Sequence, residues 1–91
     1  MPDKVEKKRT RFSYHAPHAE EVSLAGSFNG WNTSACLMKR DKQGNWSITL
    51  DLYPGQYEYK FLVDSKWVID PNCTRFRINE YGEYDCRLTV E

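Results

Sequence analysis

No run of about eighteen apolar residues occurs in this 91-residue chain, so it offers no transmembrane helix. Neither sign of charge is in excess. Thirteen Lys and Arg stand against thirteen Asp and Glu, a formal net charge of +0, which removes the long-range attraction that nucleic acid or an anionic membrane would need. The cysteines, Cys36, Cys73 and Cys86, are odd in number and have no C-x-x-C spacing. That pattern argues against a disulfide framework and a thiolate zinc site; the three are expected as reduced, small core or strand residues, with room for at most one incidental disulfide. His15 and His18 have no carboxylate or thiol at ligand spacing, so neither a metal nor another cofactor is expected. There is no phosphate-cradling loop, no H-E-x-x-H and no Ser/His/Asp set. The opening "MPDKVEKKRTR" lacks the apolar segment of a secretory signal, which makes the cytoplasm the expected compartment. A chain of this length buries about 60–65% of its unfolded surface, enough for one core but not for a deep cleft as well, and this weighs against an enzyme.

What the sequence does contain is alternation. Residues 1–9 read as a polar tail and 10–91 as one domain of short strands without a convincing helix. "RFSYHAP" sets Phe12 and Tyr14 on one side, and "EVSLAGSF" does the same with Val22 and Leu24. "NWSITLDL" alternates Trp46, Ile48, Leu50 and Leu52 with polar residues, which assigns Trp46 to the core, and Pro54-Gly55 then supplies a turn. The return arm "QYEYKFLVD" is expected to bury Tyr57, Tyr59, Phe61 and Val63 and to display Glu58, Lys60, Leu62 and Asp64. A tight turn at "DSKW" sends "KWVID" back beside it, and "CRLTV" closes the domain with Cys86, Leu88 and Val90 inward. About seven short strands with turn signals between them predict an all-β, immunoglobulin-like antiparallel β-sandwich, with a small open barrel as the other architecture.

Two tryptophans break this economy. Trp31 follows the turn residues Asn29 and Gly30, and Trp67 lies just past the second hairpin, both flanked by polar residues. A sugar presents apolar C–H faces and hydroxyl edges, so exposed flat rings with amides, carboxylates or a lysine beside them suit it. Trp31 and Trp67 supply the rings and Lys60 the cation, with Tyr81 and Tyr84 in a nearby loop. Glu80, Glu83 and Asp85 are the only acidic cluster; without a cleft to hold them about 5–9 Å apart across a glycosidic bond, they read as a solvated patch.

Three segments, "VSLAGSFNGWN", "GNWSITLDLYPGQYEYKFLVDSKWVIDP" and "NEYGEYDCRLTV", together resemble carbohydrate-binding module family forty-eight. This family includes the glycogen-binding module of the AMP-activated protein kinase beta subunit and the early-set domains that precede the catalytic barrels of isoamylases and glycogen branching enzymes. The resemblance covers residues 12–90 and implies an early-set, immunoglobulin-like sandwich that binds α-1,4-linked glucan without catalysis. The sugar-holding tryptophans and lysine of the kinase module fall on Trp31, Trp67 and Lys60. A leucine that enters the ring of cyclic oligosaccharides falls near Tyr81, and the threonine and asparagine after it fall near Glu83 and Asp85. The stretch from Pro71 to Gly82 is one residue longer here, and Asn79 is a candidate for an amide role. The expected carbohydrate face is therefore Trp31, Lys60 and Trp67, with Tyr81, Asp85 and Asn32 adding edge contacts; rings and a lysine that stay exposed and coplanar would mark a sugar face, and a broader apolar patch around them a protein interface. The expected partners are an α-glucan and a glycogen- or starch-metabolising enzyme. The alternative keeps the fold and drops the sugar, making the domain a scaffold with Trp31 and Trp67 against protein.

Overall fold

The computed structural model describes residues 6–91 and shows two antiparallel sheets packed face to face. Eight strands follow in order: β1 Lys8–His15, β2 Val22–Gly26, β3 Lys39–Arg40, β4 Asn45–Leu52, β5 Gly55–Val63, β6 Lys66–Val68, β7 Phe76–Ile78 and β8 Tyr84–Val90. Among the described residues the one helical element is a 3-10 turn at Ser27–Asn29. The β-sandwich expected from the alternation is what the chain forms. Two strands escaped the sequence reading, β3 and β7, because two or three residues are too few to show a period. Of the stretch expected as a tail, residues 1–5 lie outside the described residues and β1 begins at Lys8.

One sheet has the order β1-β4-β3; the other runs β2-β5-β8-β7, with β6 also on β5. The central strand β5 positions everything that matters later. Tyr59 pairs with Gly26 on one edge and Cys86 on the other, while Leu62 pairs with Ser23 and Trp67. Since β2 holds one edge, β8 and β6 must share the other, β6 taking up the edge where β8 leaves it. Trp67 is thereby set near the start of β8. The segment after the 3-10 turn also hydrogen-bonds to β2, through Leu24 N to Cys36 O and Met38 N to Val22 O, before the chain crosses to the other sheet.

Burial follows the alternation on the core side. Val22, Leu24, Phe61 and Cys86 are fully buried, with Phe12, Trp46, Leu52 and Tyr59 around them. Trp46 satisfies its ring N–H on Ala16 O at 2.8 Å, as a buried indole must. Tyr59 donates its hydroxyl to Asp70 Oδ2 at 2.7 Å, and burial together with that carboxylate raises the phenol above its ordinary value. Burial and the neighbouring Cys73 likewise raise the Cys86 thiol; all three cysteines are free. On the opposite face of β5 the alternation misleads: Lys60, expected to be displayed, is only 7% exposed.

Candidate functional site: a hollow floored by Lys60

Trp31 owes its place to a backbone conformation that a tryptophan rarely adopts. Gly30 and Trp31 are both left-handed, at φ 67° and 61°, which costs a residue with a Cβ about 1–2 kcal/mol. The turn that enforces it is cross-braced. Asn29 accepts a hydrogen bond from Gly26 N at 3.2 Å and donates to Leu24 O at 3.3 Å, while Trp31 N donates to Gly26 O at 2.9 Å. Gly26 has no substitute here, since a Cβ would collide with the Glu58 carbonyl and the Phe28 ring. Strain of this kind persists only where the surroundings over-determine it, and it is often found where a side chain must be aimed.

Trp67 is aimed by the hairpin before it. Asp64 and Ser65, at φ 47° and 71°, form the two-residue turn with both positions left-handed that suits the strand twist. Asp64 Oδ1 also accepts from Glu20 N and Glu21 N, each at 2.9 Å, tying the turn to the loop before β2. The two indoles meet with centroids 6.3 Å apart and planes 73° from each other. Trp31 is 36% and Trp67 47% exposed. Both rings are accessible as expected, but they form a corner and are not coplanar.

Lys60 borders the same hollow as the two rings. Its Nζ is 3.3 Å from Glu83 Oε2 and 3.4 Å from Asp85 Oδ1, and Asp85 is itself buried. Asp85 comes from the start of β8 and Glu83 from the loop that joins β7 to it. Asn79 shapes that loop, accepting from Tyr81 N at 2.9 Å and Glu83 N at 3.0 Å through Oδ1 and donating to Asp85 at 3.4 Å. Lys60 therefore points to the outward face as expected but is roofed by loop residues. Asp85, read in the sequence as part of a solvated patch, is its buried counter-ion. Glu83 remains 65% exposed at its side chain.

Together these side chains line a hollow of about 680 Å³. Trp31, Lys60, Trp67, Tyr81 and Asp85 all border it, with Tyr81 80% exposed. Asn32 does not border it; its Oδ1 accepts from Ser34 N at 2.8 Å in the next turn. Asn79 borders it, with its amide committed to the loop. The sequence reading missed Glu58 and Arg77, an ion pair at 3.2 Å on the same rim. Their signal was available in the register: Arg77 stands opposite Asp85 and Glu58 opposite Arg87, all on the outward face, but only once β7 is recognised. Among the described residues, no group of three or more His, Cys, Asp or Glu is arranged to hold a metal ion.

Residues 8–91 match the family described as the glycogen recognition site of AMP-activated protein kinase. The chain is 47% identical over 82 residues to Protein FLOURY ENDOSPERM 6, chloroplastic, of Oryza sativa subsp. japonica, covering 90% of this chain and 15% of that protein. It is 53% identical over 53 residues to Protein PTST homolog 2, chloroplastic, of Arabidopsis thaliana, covering 58% and 10%. The chain thus spans 10–15% of the length of these relatives. In fold it is similar to a maltogenic amylase structure from S. marinus, at a TM-score of 0.78 and 21% identity, over 97% of this chain and 15% of that one. The expectation of a cytoplasmic protein is overturned by the two chloroplast relatives. An opening without a signal carries no address when the matched stretch is so small a part of its relatives.

Proposed function

This chain belongs to the family that forms the glycogen recognition site of AMP-activated protein kinase, and from that premise we propose that the hollow under Trp31 and Trp67 is its glucan site. The module binds α-1,4-linked glucan of the glycogen or starch type and performs no chemistry on it. The observation that carries this reading is that two inclined indoles and a buried, ion-paired lysine border the same hollow. Successive rings of an α-linked chain turn relative to one another, so two platforms inclined at 73° suit a curved chain better than one flat face would. Each stacked ring contributes about 1 kcal/mol beyond burial, on the scale of aromatic pairs. Lys60 has three N–H donors and two carboxylate neighbours, which leaves one donor for a sugar hydroxyl. Glu83 and Asp85 offer acceptors for hydroxyl protons, and the exposed Tyr81 adds apolar ring surface to the lining.

The binding unit in this reading is residues 8–91, one module of a protein that works on or beside α-glucans, located in the plastid as the two plant relatives are. A shallow hollow with two stacking rings gives affinity in about the micromolar to millimolar range. Retention of the purified chain on immobilised amylose, with elution by free maltose, tests the assignment. Passage of the folded chain in the void volume would refute it.

A further inference from the structure

Six charged side chains border the hollow: Glu58, Lys60, Arg77, Glu80, Glu83 and Asp85. Both cations are already engaged, Lys60 by Glu83 and Asp85 and Arg77 by Glu58. Four carboxylates against two cations leave an excess of two negative charges at the site, although the whole chain has a formal net charge of +0. The excess is local to the place where ligand must sit. It is carried at the surface by Glu80, which is exposed and in no ion pair among the described residues, and by Glu83.

A neutral sugar feels little of this charge and finds carboxylate oxygens as hydroxyl acceptors. A phosphate monoester brings about −1.5 to −2 charges at pH 7 and needs a donor-rich cation to receive it. The two rim cations offer spare N–H donors but no spare charge: Arg77 is offset by Glu58 and Lys60 by Glu83 and Asp85, and drawing Lys60 fully to a phosphate would strand buried Asp85 without its counter-ion. We propose that this hollow selects neutral α-glucan and rejects glucan bearing phosphate monoesters near the bound rings, with Glu80 and Glu83 as the specificity-determining residues. This rests on the hollow being the glucan site.

The test compares three ligands by tryptophan fluorescence titration: β-cyclodextrin, its neutral hydroxypropyl derivative, and its phosphate monoester derivative. The intact chain is run with Glu80→Gln and Glu80→Gln/Glu83→Gln, in about 20 mM and about 500 mM NaCl, conditions on either side of strong screening. The phosphorylated ring is expected to bind about tenfold more weakly than the hydroxypropyl ring at low salt. That ratio should shrink to about two- or threefold at high salt and fall stepwise in the two variants. A phosphorylated ring that binds as tightly as the neutral one would overturn the inference. So would a ratio unmoved by salt and by both variants, which would assign the loss to bulk. Failure of all three rings to bind would refute the glucan site itself, and this inference with it.

Discussion

Lys60 Nζ lies 3.4 Å from Asp85 Oδ1, and both residues are buried on the outward face of their sheet, Lys60 on β5 and Asp85 at the start of β8. An ion pair at that depth joins stability to function. Removing one partner leaves the other charge without compensation, whereas removing both leaves a smaller deficit. Lys60→Met is expected to destabilise the domain by about 3 kcal/mol and Lys60→Met/Asp85→Asn by less, although both lose glucan binding. Urea unfolding of the single and double variants measures this. Equal or greater destabilisation in the double variant would show that the pair is not a unit.

Asn29 acts on Trp31 at one remove, through Gly26 N and Leu24 O. Asn29→Ala should cost about 1–2 kcal/mol of stability from the three lost hydrogen bonds, the third being the one its amide donates to Cys36 Sγ. It should also weaken glucan binding about tenfold, because a left-handed tryptophan released from its brace no longer holds its ring at the corner. Calorimetric titration separates the two effects. Unchanged affinity in a destabilised but folded variant would deny Asn29 a positioning role.

Gly30→Ala isolates the backbone term. A Cβ at Gly30 meets nothing within 4 Å, so the substitution should cost about 1 kcal/mol through its φ of 67° alone. Thermal unfolding reads this directly, and a neutral result would mean that the turn relaxes out of the left-handed region.

Tyr59 gives the pH dependence. Burial and the Asp70 carboxylate hold its phenol above the ordinary value of 10.0, so the folded state resists ionisation where the unfolded chain does not. The folded protein then retains more protons than the unfolded chain only above that value. The contribution is complete below pH 10 and is lost as pH rises beyond it. Tyr59→Phe should flatten this alkaline decline while costing about 1–2 kcal/mol at neutral pH for the bond to Asp70. Identical alkaline profiles for the two proteins would contradict the assignment.

The core could be read from the sequence because its signal is local: Phe12, Trp46, Phe61 and Cys86 sit in phase with their neighbours, and period-two strands have only two faces to choose between. The candidate site was partly legible for the same reason. Trp31 and Trp67 follow turn residues, and Lys60 falls on the outward side of its strand. The roof over Lys60 could not be read that way, since it depends on a loop about twenty residues later folding back through Asn79. Nor could the 73° between the indoles, which results from two unrelated left-handed turns. Arg77 was hidden because its strand is three residues long and exposed throughout. Asn32 misled by adjacency, its side chain being taken up by Ser34.

The central claim is that one indole corner holds the glucan. The most direct measurement is a titration with maltoheptaose followed by tryptophan fluorescence, run on the intact chain and on Trp31→Ala and Trp67→Ala after circular dichroism shows both to be folded. The expected result is saturable binding in about the micromolar to millimolar range, abolished by either substitution and insensitive to salt. Undiminished binding by both variants, or none by the folded intact chain up to several millimolar, would contradict it.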